Sequence, residues 1–153
     1  MTQSSIPSGP RGDSSRTATF DLQELAGAFP PSAETMLLDT RLTDEPAASS
    51  RLFRVYRAVP AHYHATCDEY LQVVLGRGKF TVGANAPIEL GPGQLLFFKR
   101  NTVHSIPEIV EAPLVLLAVD TPRRDPADVT FVDPEAGTAA TFLRTIATSP
   151  DEY

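Results

Sequence analysis

The sequence predicts an all-β fold, an antiparallel sandwich or barrel with one short helix before it and one after it. Short β-type segments recur from about Thr35 onward. They are separated by Gly-, Pro- and Asn-rich turns such as Gly76-Arg-Gly78, Gly83-Ala-Asn85-Ala-Pro87 and Gly91-Pro-Gly93. Their spacing, near ~10 residues, leaves no room for the crossover helices of a parallel sheet.

Taken in order, residues 1–19 are rich in Ser, Thr, Pro and Gly and nearly free of large apolar groups, so they are expected to form a mobile tail. The tripeptide Arg11-Gly12-Asp13 within it is read as chance. Phe20–Phe29 is predicted helical, because Leu22, Leu25, Ala26 and Phe29 share one face, Asp21 and Glu24 have capping-box spacing, and Pro30-Pro31 ends the run. Strands are predicted at Met36–Leu42, Leu52–Val59, Tyr70–Leu75, Lys79–Val82, Ile88–Leu90, Gln94–Phe98 and Leu114–Val119, with Val129–Val132 as one more. Ala139, Phe142, Leu143 and Ile146 return to helical spacing and predict a short closing helix. The expected organisation is a tail over 1–19, a helix and linker over 20–34, a β-barrel domain over 35–132 and a C-terminal extension with a short helix over 133–153.

Composition narrows the function classes. The chain has 153 residues, 42% hydrophobic and 21% charged, which suits one globular domain with a real core. No apolar run approaches the ~20 residues that span a bilayer, the longest being Leu114–Val119, and the first residues lack the apolar stretch of a secretory signal. The net charge of −6 argues against a nucleic-acid partner. A single cysteine, Cys67, leaves no intrachain disulfide framework and fits a reducing, cytoplasmic compartment.

The three histidines, His62, His64 and His104, carry the chemistry. His62 and His64 stand two apart at the end of an extended segment, so both imidazoles leave the same face. Glu69 follows after enough chain for a turn into the next strand, and His104 arrives after the Gln94–Phe98 strand and a further turn. Three imidazoles and one carboxylate converging on one point suit Fe, Mn, Co, Ni, Cu or Zn better than Mg or Ca.

These residues resemble the two motifs of the cupin superfamily. The first runs Gly, five residues, His-x-His, three or four residues, Glu, six residues, Gly; here His62-Tyr-His64, Glu69 and Gly76 match, while Tyr56 stands where the opening Gly would be. The second runs Gly, five residues, Pro-x-Gly, two residues, His, three residues, Asn. Gly93 and His104 keep that spacing, with Lys99, Asn101 and Glu108 in the Pro, Gly and Asn places. Asn101 is a mild replacement, since Asn tolerates positive φ. The resemblance implies a double-stranded β-helix, the jelly-roll cupin barrel, and a divalent transition metal (Fe, Mn, Ni or Zn) held by His62, His64, Glu69 and His104. It also implies a small-molecule ligand and a homodimer, for which Met36–Leu42 is an available edge.

If period-two alternation carries back from His62, then Arg54 and Tyr56 face the same interior and become candidate substrate anchors, Arg54 for a carboxylate. Leu71, Val73 and Leu75 share Glu69's side and make an apolar wall; Phe97 and Phe98 are expected on opposite faces. Cys67 is read as a free thiol and Arg123-Arg124 as a solvated turn. The expected function is a small metal-dependent enzyme of oxygenase, isomerase or lyase type acting on an oxygen-rich small molecule, with Glu69 as a candidate proton acceptor. The alternative is a non-catalytic metal or small-molecule binding or sensor domain.

Overall fold

The computed structural model describes residues 17–146. Most of the expected tail, with Arg11-Gly12-Asp13, lies outside the described residues. Helix α1 (Leu22–Gly27) is followed by strands β1 (Leu37–Glu45), β2 (Ala48–Val55), β3 (Val59–Tyr63), β4 (Asp68–Val82), β5 (Ile88–Leu90), β6 (Leu95–Phe98), β7 (His104–Thr121) and β8 (Thr130–Phe131). Helix α2 (Ala139–Phe142) and strand β9 (Leu143–Thr145) complete the described elements.

The organising unit is the long antiparallel ribbon of β4 and β7, paired from Asp68↔Thr121 to Val82↔His104. On its other side β7 pairs with β3 near His104 and with β2 from Leu114 onward, giving the path β5-β4-β7-β2-β1-β9 with β3, β8 and β6 as branches. This is the jelly-roll, double-stranded β-helix arrangement, but the hydrogen-bonded ladder does not close into a ring among the described residues.

Alternation sorts the side chains into two cores. Leu37, Phe53, Leu71, Val73, Phe80, Phe98, Ile106 and Leu116 fill the interior. Leu38, Leu42, Leu52 and Val115 point the other way and are covered by Leu25 and Ala26 of α1 and by Phe29 just after it, which is why so short a helix is stable. The Asp21 carboxylate accepts from Glu24 N at 3.1 Å and fixes the helix start at Leu22, two residues later than the predicted Phe20.

Four expectations are corrected. Gly76-Arg-Gly78 is not a turn between strands but a bulge inside β4. Gly76 takes φ +80 there, and a Cβ would lie 2.1 Å from Pro113 O. β7 runs through Pro107 and Pro113, so the predicted strand Leu114–Val119 is only its last part. The C-terminal helix ends at Phe142, and Leu143–Thr145 instead pairs parallel with Leu37–Asp39 of β1. That pairing covers part of the β1 edge that had been expected to invite a second chain.

Candidate metal centre

The candidate ligand residues approach one another from three strands. His62 and His104 are directly opposite one another across β3 and β7, and Glu69 lies on β4 beside Phe98 of β6 and Asp120 of β7. His64 follows the end of β3. All four are buried, between 2% and 6% exposed, so a charge among them is poorly screened by water. The ring-nitrogen donors of the three histidines lie within 4.8 Å of one another. Glu69 Oε1 stands 3.4 Å from His64 Nε2 and 3.8 Å from His104 Nε2. Donors at about 2.1 Å from a shared ion lie roughly 3–4 Å apart, so the three imidazole nitrogens are within about an ångström of a coordination shell, with Glu69 beside two of them.

The tautomers also fit a metal. Each Nδ1 faces a backbone carbonyl: His62 Pro60 O at 2.8 Å, His64 Asp128 O at 2.7 Å and His104 Thr102 O at 2.9 Å. A carbonyl only accepts, so each Nδ1 carries a proton, the usual outer support of a metal-ligating imidazole, and Nε2 is the nitrogen turned to the centre. Burial, followed by the neighbouring His104 ring, pushes His62 down to about 3. Burial likewise pushes His104 down to about 4 against the pull of Glu69. Both rings are therefore neutral, and available as ligands, at neutral pH. Burial opposes the charge on Glu69, yet the hydrogen bond and charge of His64, then Arg51 and His104, outweigh it and hold the carboxyl well below its usual range.

Arg51 is the residue the sequence reading missed. Its Nη2 donates to Glu69 Oε2 at 3.1 Å and its Nε to Asp120 Oδ2 at 3.3 Å, while Asp39 Oδ2 lies 3.6 Å from Nη1. The guanidinium thus occupies one carboxylate oxygen of Glu69 and leaves Oε1 for the centre. Asp120, through burial and the nearby Glu69 charge, is pushed up to about 6 against Arg51 and Arg124.

Arg54 and Tyr56 are not part of this site. Both turn to the opposite face, where Arg54 Nη1 and Tyr56 Oη each donate to Pro30 O, at 3.2 and 2.7 Å. The cause is a register shift between Val59 and His62, which puts both of those residues inward. The inward set on β2 is therefore Arg51 and Phe53, and parity counted back from His62 selects the wrong residues. Arg51 lay outside the predicted strand Leu52–Val59, and which face turned inward depended on a bulge near Pro60.

The remaining wall is apolar. Phe98 stacks on His104 with centroids 4.0 Å apart, and Phe142 of α2 covers His62 at 5.0 Å. Phe97 is 47% exposed and pairs outside with Tyr70. The space left beside the ligands is only about 20 Å³, enough for one water. Cys67 is buried, and burial followed by the charges of Asp120 and Glu69 pushes its thiol up to about 12, so it stays protonated and unreactive at neutral pH. Arg124 is buried and donates to Asp128 O at 3.2 Å, whereas Arg123 pairs with Asp44 at the surface. The Asp128 carboxylate accepts from Ala65 N, Thr66 N and Thr66 Oγ1 and fixes the turn between His64 and Glu69.

A family described as "Cupin domain" matches residues 55–120, the stretch that holds all four candidate ligands. No curated protein matches the chain. Among solved structures, it is similar to an uncharacterised conserved protein with a double-stranded beta-helix domain from Klebsiella pneumoniae (15% identity, 76% of this chain and 97% of that one, TM-score 0.61). It is also similar to KdgF from Halomonas sp. (20% identity, 59% and 82%, TM-score 0.54). A third likeness is to the DMSP lyase DddQ from Ruegeria pomeroyi (20% identity, 61% and 47%, TM-score 0.52), of which the chain spans about half. At these identities the likeness is one of fold. No helix among the described residues is long and apolar enough to cross a membrane.

Proposed function

We propose, from the premise that this chain is a member of the cupin superfamily, that it is a metal-dependent enzyme acting on a small, oxygen-rich molecule such as a keto acid, phenol or sugar derivative. The observation that carries the reading is the set of three buried imidazoles, each fixed through Nδ1 by a backbone carbonyl, with the free oxygen of Glu69 beside His64 and His104. Three nitrogens and one oxygen suit Fe, Mn, Ni or Zn, and four protein ligands leave one or two positions on a five- or six-coordinate ion. When bound, such an ion would supply a Lewis acid that polarises a carbonyl and, if redox-active, an electron source.

The chain's own residues set the conditions. Phe98, Phe142 and Leu71 exclude water, which strengthens the field at the centre. Arg51 holds Glu69 Oε2, so Glu69 acts first as a ligand. To accept a proton at Oε1 it would have to leave the centre and overcome the stabilisation of its charged form by His64 and Arg51. The fold does not select among oxygenase, isomerase and lyase chemistry.

Elemental analysis of protein purified without a His-rich tag, followed by turnover assays with each of the four metals, tests the reading. Near-stoichiometric transition metal and turnover of at least one substrate class are expected; metal-free protein that also fails to bind added metal would end it. The water-sized cavity favours a second reading, a non-catalytic metal-binding or sensor domain. Chelation separates the two: a structural ion lowers Tm sharply, whereas a catalytic one chiefly abolishes turnover. A homodimer belongs to the same proposal, and a single sedimenting species of twice the chain mass at micromolar concentration is expected.

A further inference from the structure

The outer face of the sheet is only half covered. Helix α1 and Phe29 close it over Leu38, Leu42 and Leu52 of β1 and β2. Beyond Leu117 it lies open across β7, β4 and β6. Two rows stand there in register, Phe97–Tyr70–Val119 and Leu95–Gln72–Leu117. Five of these six residues are apolar, and Leu95, Phe97 and Tyr70 are 61%, 47% and 40% exposed. We propose that this strip is the surface through which two copies of the chain pair face to face; the inference rests on the homodimer reading and gives it a location.

Alternation is the first argument. Leu71, Phe98 and Ala118, which lie between the strip residues along the same strands, are buried in the interior. A sheet with one wet face alternates apolar with polar residues, whereas these strands are apolar on both sides, the pattern of a sheet covered on both faces. Single exposed apolar groups are ordinary, but a contiguous strip of them marks an interface. The β1 edge offers less, because β9 already pairs with it.

Composition and charge select the occupant. Residues 1–16 and 147–153 contain only Met1, Ile6 and Tyr153 as large apolar groups, too few to match the strip. A second copy matches it in kind. At one end of the strip Arg100 pairs with Asp68, and Lys99 beside it adds a positive charge. At the other end Gln23 of α1 donates to Val74 O at 3.4 Å, and this helix brings Asp21 and Glu24 with no basic residue. A twofold axis lying in the contact, across the line between the two ends, sets each basic end on the partner's acidic end. Gln72 lies between the ends, and its amide, both donor and acceptor, can pair with its own copy. Glu69 points to the opposite face, so the contact does not depend on a bound metal.

Sedimentation equilibrium of the full chain is the test. A dimer at about 10 μM chain is expected, with a Tm that rises with protein concentration. Leu95→Glu should raise the dimer Kd at least ~100-fold, because association would bury its charge unpaired, and should leave the far-UV circular dichroism unchanged. Lys99→Glu and Glu24→Lys should each weaken the dimer roughly 2–5-fold, and the two together should restore it; this exposed pair decides the matter should Leu95→Glu fail to fold. A wild-type monomer, including one that binds phosphatidylcholine vesicles instead, would overturn the homodimer reading and this contact together. A wild-type dimer that persists in Leu95→Glu, or a double variant no tighter than the single ones, would overturn this contact and leave the homodimer standing.

Discussion

Arg51 decides the electrostatics of this molecule more than any other side chain. It is a buried cation touching Glu69 and Asp120 and near Asp39, and removing it leaves three buried carboxylates without their common counter-charge. Arg51→Met is therefore expected to destabilise the metal-free protein by about 3–5 kcal/mol in urea unfolding. Part of that loss should return when metal is added, since an ion would compensate Glu69 alone. An equal loss with and without metal would show that Glu69 does not face an ion. Among the proposed ligands, His104→Ala removes a nitrogen whose ring also packs on Phe98. Metal content should fall by at least ~10-fold in elemental analysis, with a smaller change in Tm for the apo protein. Asn101 illustrates what a single residue type can reveal: standing in a glycine's place, it adopts φ 66, the conformation that Asn tolerates best after Gly.

At the scale of elements, the His64–Glu69 turn and the β4 bulge position the site. The turn is held from a distance by Asp128, whose carboxylate accepts from two backbone amides and a hydroxyl while its carbonyl accepts from His64 Nδ1. Asp128→Ala should cost about 1–2 kcal/mol and weaken metal binding by ~10–100-fold, read by competition with a chelator. A stability loss with unchanged affinity would confine Asp128 to the turn. Gly76→Ala places a Cβ against the Pro113 and Glu111 carbonyls at positive φ, and neither backbone can yield cheaply. Loss of more than ~3 kcal/mol, or failure to fold, is expected from that one methyl group.

For the whole molecule, the telling feature is that the C-terminal segment returns across the site. Phe142 is 3% exposed, packed on His62 and Phe131, while the following residues add a strand to β1. Phe142→Ala is expected to cost about 3–5 kcal/mol in the apo protein and to open the space beside the ligands. If the site is catalytic, the same variant should change KM for larger substrates more than for small ones; an unchanged profile would mean that substrates enter by another route.

The all-β class, the approach of His62, His64, Glu69 and His104, and an inward wall of Leu71 and Val73 were legible in order and spacing alone, whereas Leu75, expected on that wall, packs in the other core beyond a register shift in β4. The physical reason is that alternation on a strand and the reach of a short turn are local properties, fixed by a few consecutive residues. Arg51 in place of Arg54, the support of His64 by Asp128, the strand after Phe142 and the half of the outer sheet face that α1 covers were decided only by the tertiary structure. Each depends on a bulge or on a partner far away in the chain. A one-residue shift near Pro60 reverses which side chains face inward, and no local pattern records it.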